Sequence, residues 1–387
     1  RGSRVCSECS NERVQPKPEK RDLIMNRRKI FIHVGHHKTG TTSIQAHLVT
    51  QRRWLKHHGI IYPRTGRSPN YVGAHHNIAW QISGDARFRT AYGDINDLRR
   101  ELNLHDGGAI LSSEDFTMAA INSDRFYDFL RLLSNDGFEV VLLVCLRNQA
   151  SHAISLYSTF LRMGYKEDFK DYIDQICTNG EIAFRNWIIP YRHDIYLAKL
   201  ERLPAMLQVL GYDSANKSDS LVRVFYEACG LRLPRLHSLR VRRLHPKPDL
   251  TTLLHLFHKN ALGNPSLSVQ SALRKSRDLT HILYSYTEKE HARFKHCFAE
   301  SNNTLNSRWN IGLDLDLDYQ SPHDSSPLAM SELFSLAFHR ILSQVAIENS
   351  ATSKPSRHQV LRYALAMYRE IKPTSLDGVS LVSPETL

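Results

Sequence analysis

Long hydrophobic runs are missing from this 387-residue chain. Its most apolar stretch, Val140 to Leu146, falls far short of the roughly 20 residues that a membrane-crossing helix needs. The first 28 residues are polar and basic and carry no apolar segment of the kind a secretory signal requires, so the expected setting is cytoplasmic. Met25, just ahead of a basic segment, is a candidate start with residues 1–24 as a flexible lead-in. Cysteine is sparse. Of the six, Cys145 and Cys229 fall inside apolar patterns that suit reduced, buried thiols. Cys6 and Cys9 have the spacing of zinc ligands, but no second CxxC or paired histidine follows at ligand distance, so no metal is expected. There is no internal repeat and no familiar nucleic-acid-binding motif, so nucleic acid is not an expected partner.

What the chain does have is basic charge and alternating structure. Lysine and arginine number 51 against 39 acidic residues, a formal net charge of +12, with 21 histidines in addition. A basic surface draws anions such as nucleotides, acidic glycans or nucleic acid, and the same charge also serves plain solubility. Five short apolar segments bounded by turn or charge signals predict strands: Lys29–Val34, Gly59–Tyr62, Ala109–Ser112, Val140–Leu146 and Met206–Leu210. Helical patterns separate them at Thr41–His57, within Arg87–Leu104, and at Ser123–Leu133, Ala150–Arg162, Phe184–Leu203 and Leu221–Cys229. Strands alternating with helices predict an α/β fold, a parallel central sheet with flanking helices. Three parts follow: a lead-in over 1–28, an α/β core over 29–230, and a connector with a mostly helical C-terminal part over 231–387. The connector is marked by Pro234, Pro246 and Pro248 and by the basic run Arg240, Arg242, Arg243, His245 and Lys247, which reads first as a solvated linker. Helical patterns resume near 250–262, 268–300, 328–347 and 356–371.

The first strand runs into Gly35-His36-His37-Lys38-Thr39-Gly40-Thr41-Thr42-Ser43. A strand, a glycine-bounded loop and a helix start place backbone N–H groups at the positive end of a helix dipole, a receptor for phosphate-like anions. Gly35 and Gly40 permit close approach, and Thr41, Thr42 and Ser43 add hydroxyl donors. The lysine position excludes the usual ATPase loop. In G-x4-G-K-[ST] the lysine follows the second glycine, whereas here Thr41 does, and Lys38 precedes Gly40 by two. The fourth predicted strand ends in Arg147, with Ser151 and Ser155 on the following helix. An arginine fork at a carboxyl edge with a hydroxyl nearby suits a second phosphate.

Two constellations offer acid–base chemistry. Ser112-Ser113-Glu114-Asp115 follows the third predicted strand, where Glu114 is a candidate base and the same residues also suit a helix N-cap. His75-His76 lies between the phosphate loop and that strand, with histidine's suitability for work near neutral pH. The choice among Glu114, His75 and His76 stays open, with Glu114 slightly favoured.

At these residues the sequence resembles the PAPS-dependent sulfotransferases (PAPS is 3'-phosphoadenosine-5'-phosphosulfate), most closely their bacterial carbohydrate-type branch. That branch's loop reads H-x-G-x-x-K-T-G-T-T-S, matched by His33, Gly35, Lys38, Thr39, Gly40, Thr41, Thr42 and Ser43. The resemblance implies a P-loop-like fold and a loop that holds the 5'-phosphate and sulfate, with Lys38 on the leaving side and His36 and His37 as further donors. It implies that Arg147 and Ser155, eight residues apart as in the family, grip the 3'-phosphate. The Ser-Ser-Glu element matches the same branch, and Ser301-Asn302-Asn303 with Trp309 is similar to the family's closing segment. The expected reaction is sulfuryl transfer from PAPS, leaving PAP, to an acceptor hydroxyl on a saccharide or glycan, with no metal. The rival expectations are a P-loop nucleotide kinase or NTPase, which needs acidic Mg²⁺ ligands, and a non-catalytic polyanion binder.

Overall fold

The computed structural model describes residues 28–233 and 288–316, apart from 72, 123, 168, 219 and 220. The Cys6–Cys9 pair, Met25, the basic run near 240 and the helical patterns at 250–262, 328–347 and 356–371 lie outside the described residues.

The centre is a five-stranded sheet of β1 (Arg28–Val34), β2 (Ile60–Ile61), β3 (Gly108–Ser113), β4 (Phe138–Leu146) and β7 (Met206–Gly211). Its order is β2-β3-β1-β4-β7, and every pairing is parallel. The expected α/β class with a parallel sheet is the observed one. Side chains alternate across β1, as a period of two requires. Ile30, Ile32 and Val34 pack on one face with Leu111, Leu142, Phe126, Phe129 and Leu197. Phe31 packs on the other with Ile110, Val141, Leu143, Ile44, Leu48 and Phe225. Both faces are therefore dry, which explains why these strands read as continuous apolar runs.

The first face is covered by α3 (His76–Ser83), α4 (Ile95–Asn103), α5 (Phe116–Asn122), α6 (Asp124–Asn135) and α9 (His193–Leu200). The second is covered by α1 (Thr41–Thr50), α2 (Arg52–His57), α10 (Tyr212–Ser218) and α11 (Leu221–Ala228). A third apolar cluster joins α7 (Gln149–Arg162), α8 (Phe169–Asn179) and α12 (Glu288–Trp309) to an antiparallel hairpin, β5 (Glu181–Phe184) with β6 (Trp187–Pro190). The helix expected over Phe184–Leu203 is thus replaced in its first half by this hairpin. Pro190 lacks the N–H a helix interior needs, and Arg185 adopts a positive φ of 54° at the turn. The expected Thr41–His57 helix is two helices broken at Gln51.

Because the sheet is parallel, β1, β3, β4 and β7 all end on one edge. There β1 delivers the Gly35–Gly40 loop, β3 delivers Glu114, β4 delivers Arg147 and β7 delivers Asp213.

Candidate functional site

The loop after β1 is held open by two left-handed residues, Lys38 (φ 64°) and Gly40 (φ 77°). Gly40 caps α1 without a side-chain hydrogen bond, and a Cβ there would lie 2.4 Å from Leu221 Cδ2, so only glycine fits. Alternating backbone conformations turn successive N–H groups into one concavity. The backbone N–H groups of Lys38, Thr39, Gly40, Thr41 and Thr42 find no hydrogen-bond acceptor among the described residues. Such an arrangement at the start of a helix is suited to receive an anion.

Its side-chain donors are fewer than the sequence offers. Thr39 Oγ1 donates to the His36 carbonyl at 2.6 Å, stiffening the loop. Thr41 Oγ1 donates to Glu114 Oε1. Thr42 and Ser43 are half-buried, and their hydroxyls stay uncommitted among the described residues. His36 is buried behind the loop, ringed edge-on by His152, His193 and Tyr196. The His37 ring stacks on Trp187 at 4.0 Å and lies 3.8 Å from Asp115 Oδ1, while its carbonyl accepts from His152 Nε2 at 2.7 Å. Burial pulls the pKa values of both His36 and His37 below the ordinary imidazole value.

Lys38 is half-buried. Burial lowers its pKa, and the cations of Arg162 and Arg147 lower it further, against a smaller opposing pull from Glu114. Three cations therefore share this end of the site. Arg147 donates from Nη1 to the Lys38 carbonyl at 3.3 Å and lies over the Tyr212 ring at 4.9 Å. Its Nε is buried without a hydrogen-bond partner, 3.8 Å from Asp213 Oδ1. Asp213 in turn accepts from the Asn148 backbone N–H at 2.8 Å. The arginine thus braces the loop as well as carrying charge to it. Ser155 is half-buried on α7, and Arg162 is one helical period of seven further along the same face. Arg162 escaped the sequence reading, although the i, i+7 spacing from Ser155 carries the signal.

On the other side of the loop, Glu114 is only 9% exposed. Burial alone raises a carboxyl pKa, but here His76, His37 and the hydrogen bonds from Thr41 and Gln45 outweigh it and hold Glu114 below its usual range. Gln45 Nε2 donates to Glu114 Oε2 at 3.0 Å. His76 Nε2 is 3.7 Å from that oxygen, and its Nδ1 is 3.3 Å from Asp115 Oδ2 and 2.8 Å from Ser113 Oγ. For His76 burial disfavours the cation, but Asp115 and Glu114 win and raise its pKa. Trp80 donates to Asp115 and stacks parallel to His76.

The histidine pair therefore splits. His76 belongs to the carboxylate cluster, whereas His75 is fully buried with both ring nitrogens used by backbone: Nε2 donates to the Pro63 carbonyl at 3.1 Å and Nδ1 accepts from the Ser112 N–H at 3.1 Å. Burial drives its pKa down to about 3. His75 straps the 63–75 segment to β3 and stands outside the cluster that faces the loop. Gln45, not singled out from sequence, and Asp115, read there as a possible helix cap, complete that cluster.

A cleft of about 300 Å³ opens beside it, lined by Trp80, Arg87, Asp115, Met118 and Asn186. No helix among the described residues is long and apolar enough to cross a membrane.

No protein-family model matches the chain, and no curated protein does. Among solved structures, a chain from the characterisation of the PezAT chromosomal toxin–antitoxin system of Streptococcus pneumoniae is 15% identical, over 52% of this chain and 78% of that one, with a TM-score of 0.24. So slight an overlap bears on neither fold nor function.

Proposed function

We propose that this protein is a sulfotransferase that moves a sulfuryl group from PAPS to an acceptor hydroxyl, on a saccharide or glycan, by in-line displacement. The observation that carries the reading is the meeting of two anion receptors at one sheet edge. The N–H nest of Lys38–Thr42 and the Arg147 guanidinium are joined by a hydrogen bond rather than turned to different regions. A donor phosphorylated at both its 5' and 3' ends needs two such receptors.

In this reading the nest and the hydroxyls of Thr42 and Ser43 bind the 5'-phosphosulfate, and Arg147 with Ser155 and Arg162 takes the 3'-phosphate. Lys38 neutralises charge on the oxygen that leaves sulfur as the acceptor oxygen bonds to it. Glu114 accepts the acceptor's proton. Its low pKa suits a loose transition state, in which the proton leaves late, and His76 keeps it ionised and aimed. A cytoplasmic setting belongs to the same proposal, supported by Cys145 and Cys229, which are buried free thiols.

One contact favours a second reading. Thr41 meets Glu114 as a loop hydroxyl meets an acid around Mg²⁺ in nucleotide kinases. The position of Lys38 before Gly40 weighs against it. Thermal-shift assays separate the two. The sulfotransferase reading expects PAP without metal to raise the melting temperature well above any shift from ATP with Mg²⁺. Indifference to PAP with a response to ATP–Mg²⁺ would favour the kinase.

A further inference from the structure

We infer that Arg67, over the Tyr62 ring, holds a carboxylate or sulfate group of the acceptor, so that the acceptor is an anionic saccharide. The inference rests on the saccharide sulfotransferase reading and specifies its substrate.

Arg67 is half-buried, its guanidinium carbon 5.5 Å from the Tyr62 ring centroid, and its Nε is buried without a hydrogen-bond partner. Buried donors in native proteins are nearly always satisfied, and this one meets no acceptor among the described residues. Its charge is only partly answered, by Tyr62 and Glu101. Burial lowers its pKa, and Arg52 and Arg64 add repulsion. The acid within electrostatic reach, Glu101, spends its carboxylate on the backbone N–H groups of Arg64 and Thr65 and on the Thr65 hydroxyl, at 2.7–3.1 Å. Among the described residues none of the three arginines has an ion-pair partner.

The position is tied to the reacting groups through short contacts. Tyr62 meets His75 edge-on at 4.7 Å and donates to the Gly73 carbonyl at 2.7 Å. His75 is bonded to the Ser112 backbone, and the Ser112 hydroxyl lies 3.3 Å from Gln45 Nε2, the amide that holds Glu114. The loop that carries Arg67 is fixed before any ligand arrives: Gly66 N donates to Tyr92 O at 2.7 Å, and Asn77 N donates to Gly66 O at 3.1 Å. At its far end Tyr71 is 42% exposed while touching the His76 and Trp80 rings. It is the large exposed hydrophobic side chain that borders the cluster, placed for the apolar face of a sugar ring. A planar guanidinium beside an aromatic ring fits a sugar bearing a carboxylate or sulfate ester.

Calorimetry on the full chain saturated with PAP tests this. The probes are a tetrasaccharide of alternating glucuronyl and N-acetylglucosaminyl units and its neutral counterpart with glucosyl in place of glucuronyl. The native protein should bind the acidic probe about tenfold more tightly, a charge-assisted hydrogen-bond pair's worth. R67Q should lose that preference, R67K should keep part of it, and both should bind PAP as the native protein does. Equal affinity for the two probes, binding of neither, or an R67Q protein that keeps the preference overturns the inference. If PAP itself fails to bind, the donor assignment falls, and the same probe ratio on nucleotide-free protein still decides the role of Arg67.

Discussion

Acid should unfold this protein well above the pH at which carboxylates titrate, because the packing around the loop rests on neutral histidines. Burial lowers His33 and His193 to about 4 and His75 and His152 to about 3. An unfolded histidine titrates near 6.5. Between those values the unfolded chain binds protons that the folded chain refuses, so stability rises with pH and is lost as pH falls below about 6.5. At pH 5 each of the four costs about 2 kcal/mol. Together that is about 8 kcal/mol against a total stability of about 5–15 kcal/mol. His76 works the other way, its raised pKa favouring the fold below neutrality. Unfolded carboxylates stay ionised down to about pH 4.5, so the window from 6.5 to 5 belongs to the imidazoles. Urea titrations followed by tryptophan fluorescence at pH 7.5, 6.5, 6.0 and 5.5 should show the midpoint falling at every step. His75→Asn, though less stable at pH 7.5, should show a shallower pH slope by about one proton. A midpoint flat from 7.5 to 5.5 would refute the reasoning.

Lys38→Ala should lower kcat by about 10²–10³-fold with PAPS affinity changed far less, since the charge it answers develops during transfer. Steady-state kinetics with labelled PAPS gives the split, and a normal kcat removes Lys38 from the leaving side. Arg147→Ala should weaken PAP binding by about 10–100-fold in calorimetry and also lower the melting temperature, because it removes the guanidinium 3.8 Å from the buried Asp213 carboxylate. Arg147→Lys should recover part of the affinity but not the bond to the Lys38 carbonyl. Glu114→Gln should cut kcat by about 10²–10⁴-fold while the chain stays folded, and it should lower the His76 pKa seen by NMR. An unchanged His76 titration would place the two side chains apart.

Much of the sheet was readable because strands buried on both faces spell themselves as apolar runs. Phe138–Leu146 and Met206–Gly211 differ from their expected spans by one or two residues at the ends. The hairpin was not readable, since Trp187–Pro190 is an apolar run of four and mimics one side of a helix as easily as a strand. That error hid Trp187, which the hairpin lays on His37. The loop residues and Arg147 were legible as a motif, because spacing along one chain fixes them. The partition of His75 from His76 was not. Adjacent residues at a helix start point in different directions, and which one meets Glu114 depends on α3 docking against the end of β3.

The same contrast explains why so many histidines surround a basic loop without adding charge to it. Four rings, His36, His37, His152 and His193, pack at or behind the nest, and burial keeps all four below the ordinary imidazole value. All four fill volume, and two of them donate hydrogen bonds, His152 to the His37 carbonyl and His193 to the Arg147 carbonyl. Lysines or arginines there would bind an anion more tightly but would repel Lys38 and lower its pKa further. Neutral imidazoles leave the positive charge at this end of the loop to Lys38, Arg147 and Arg162.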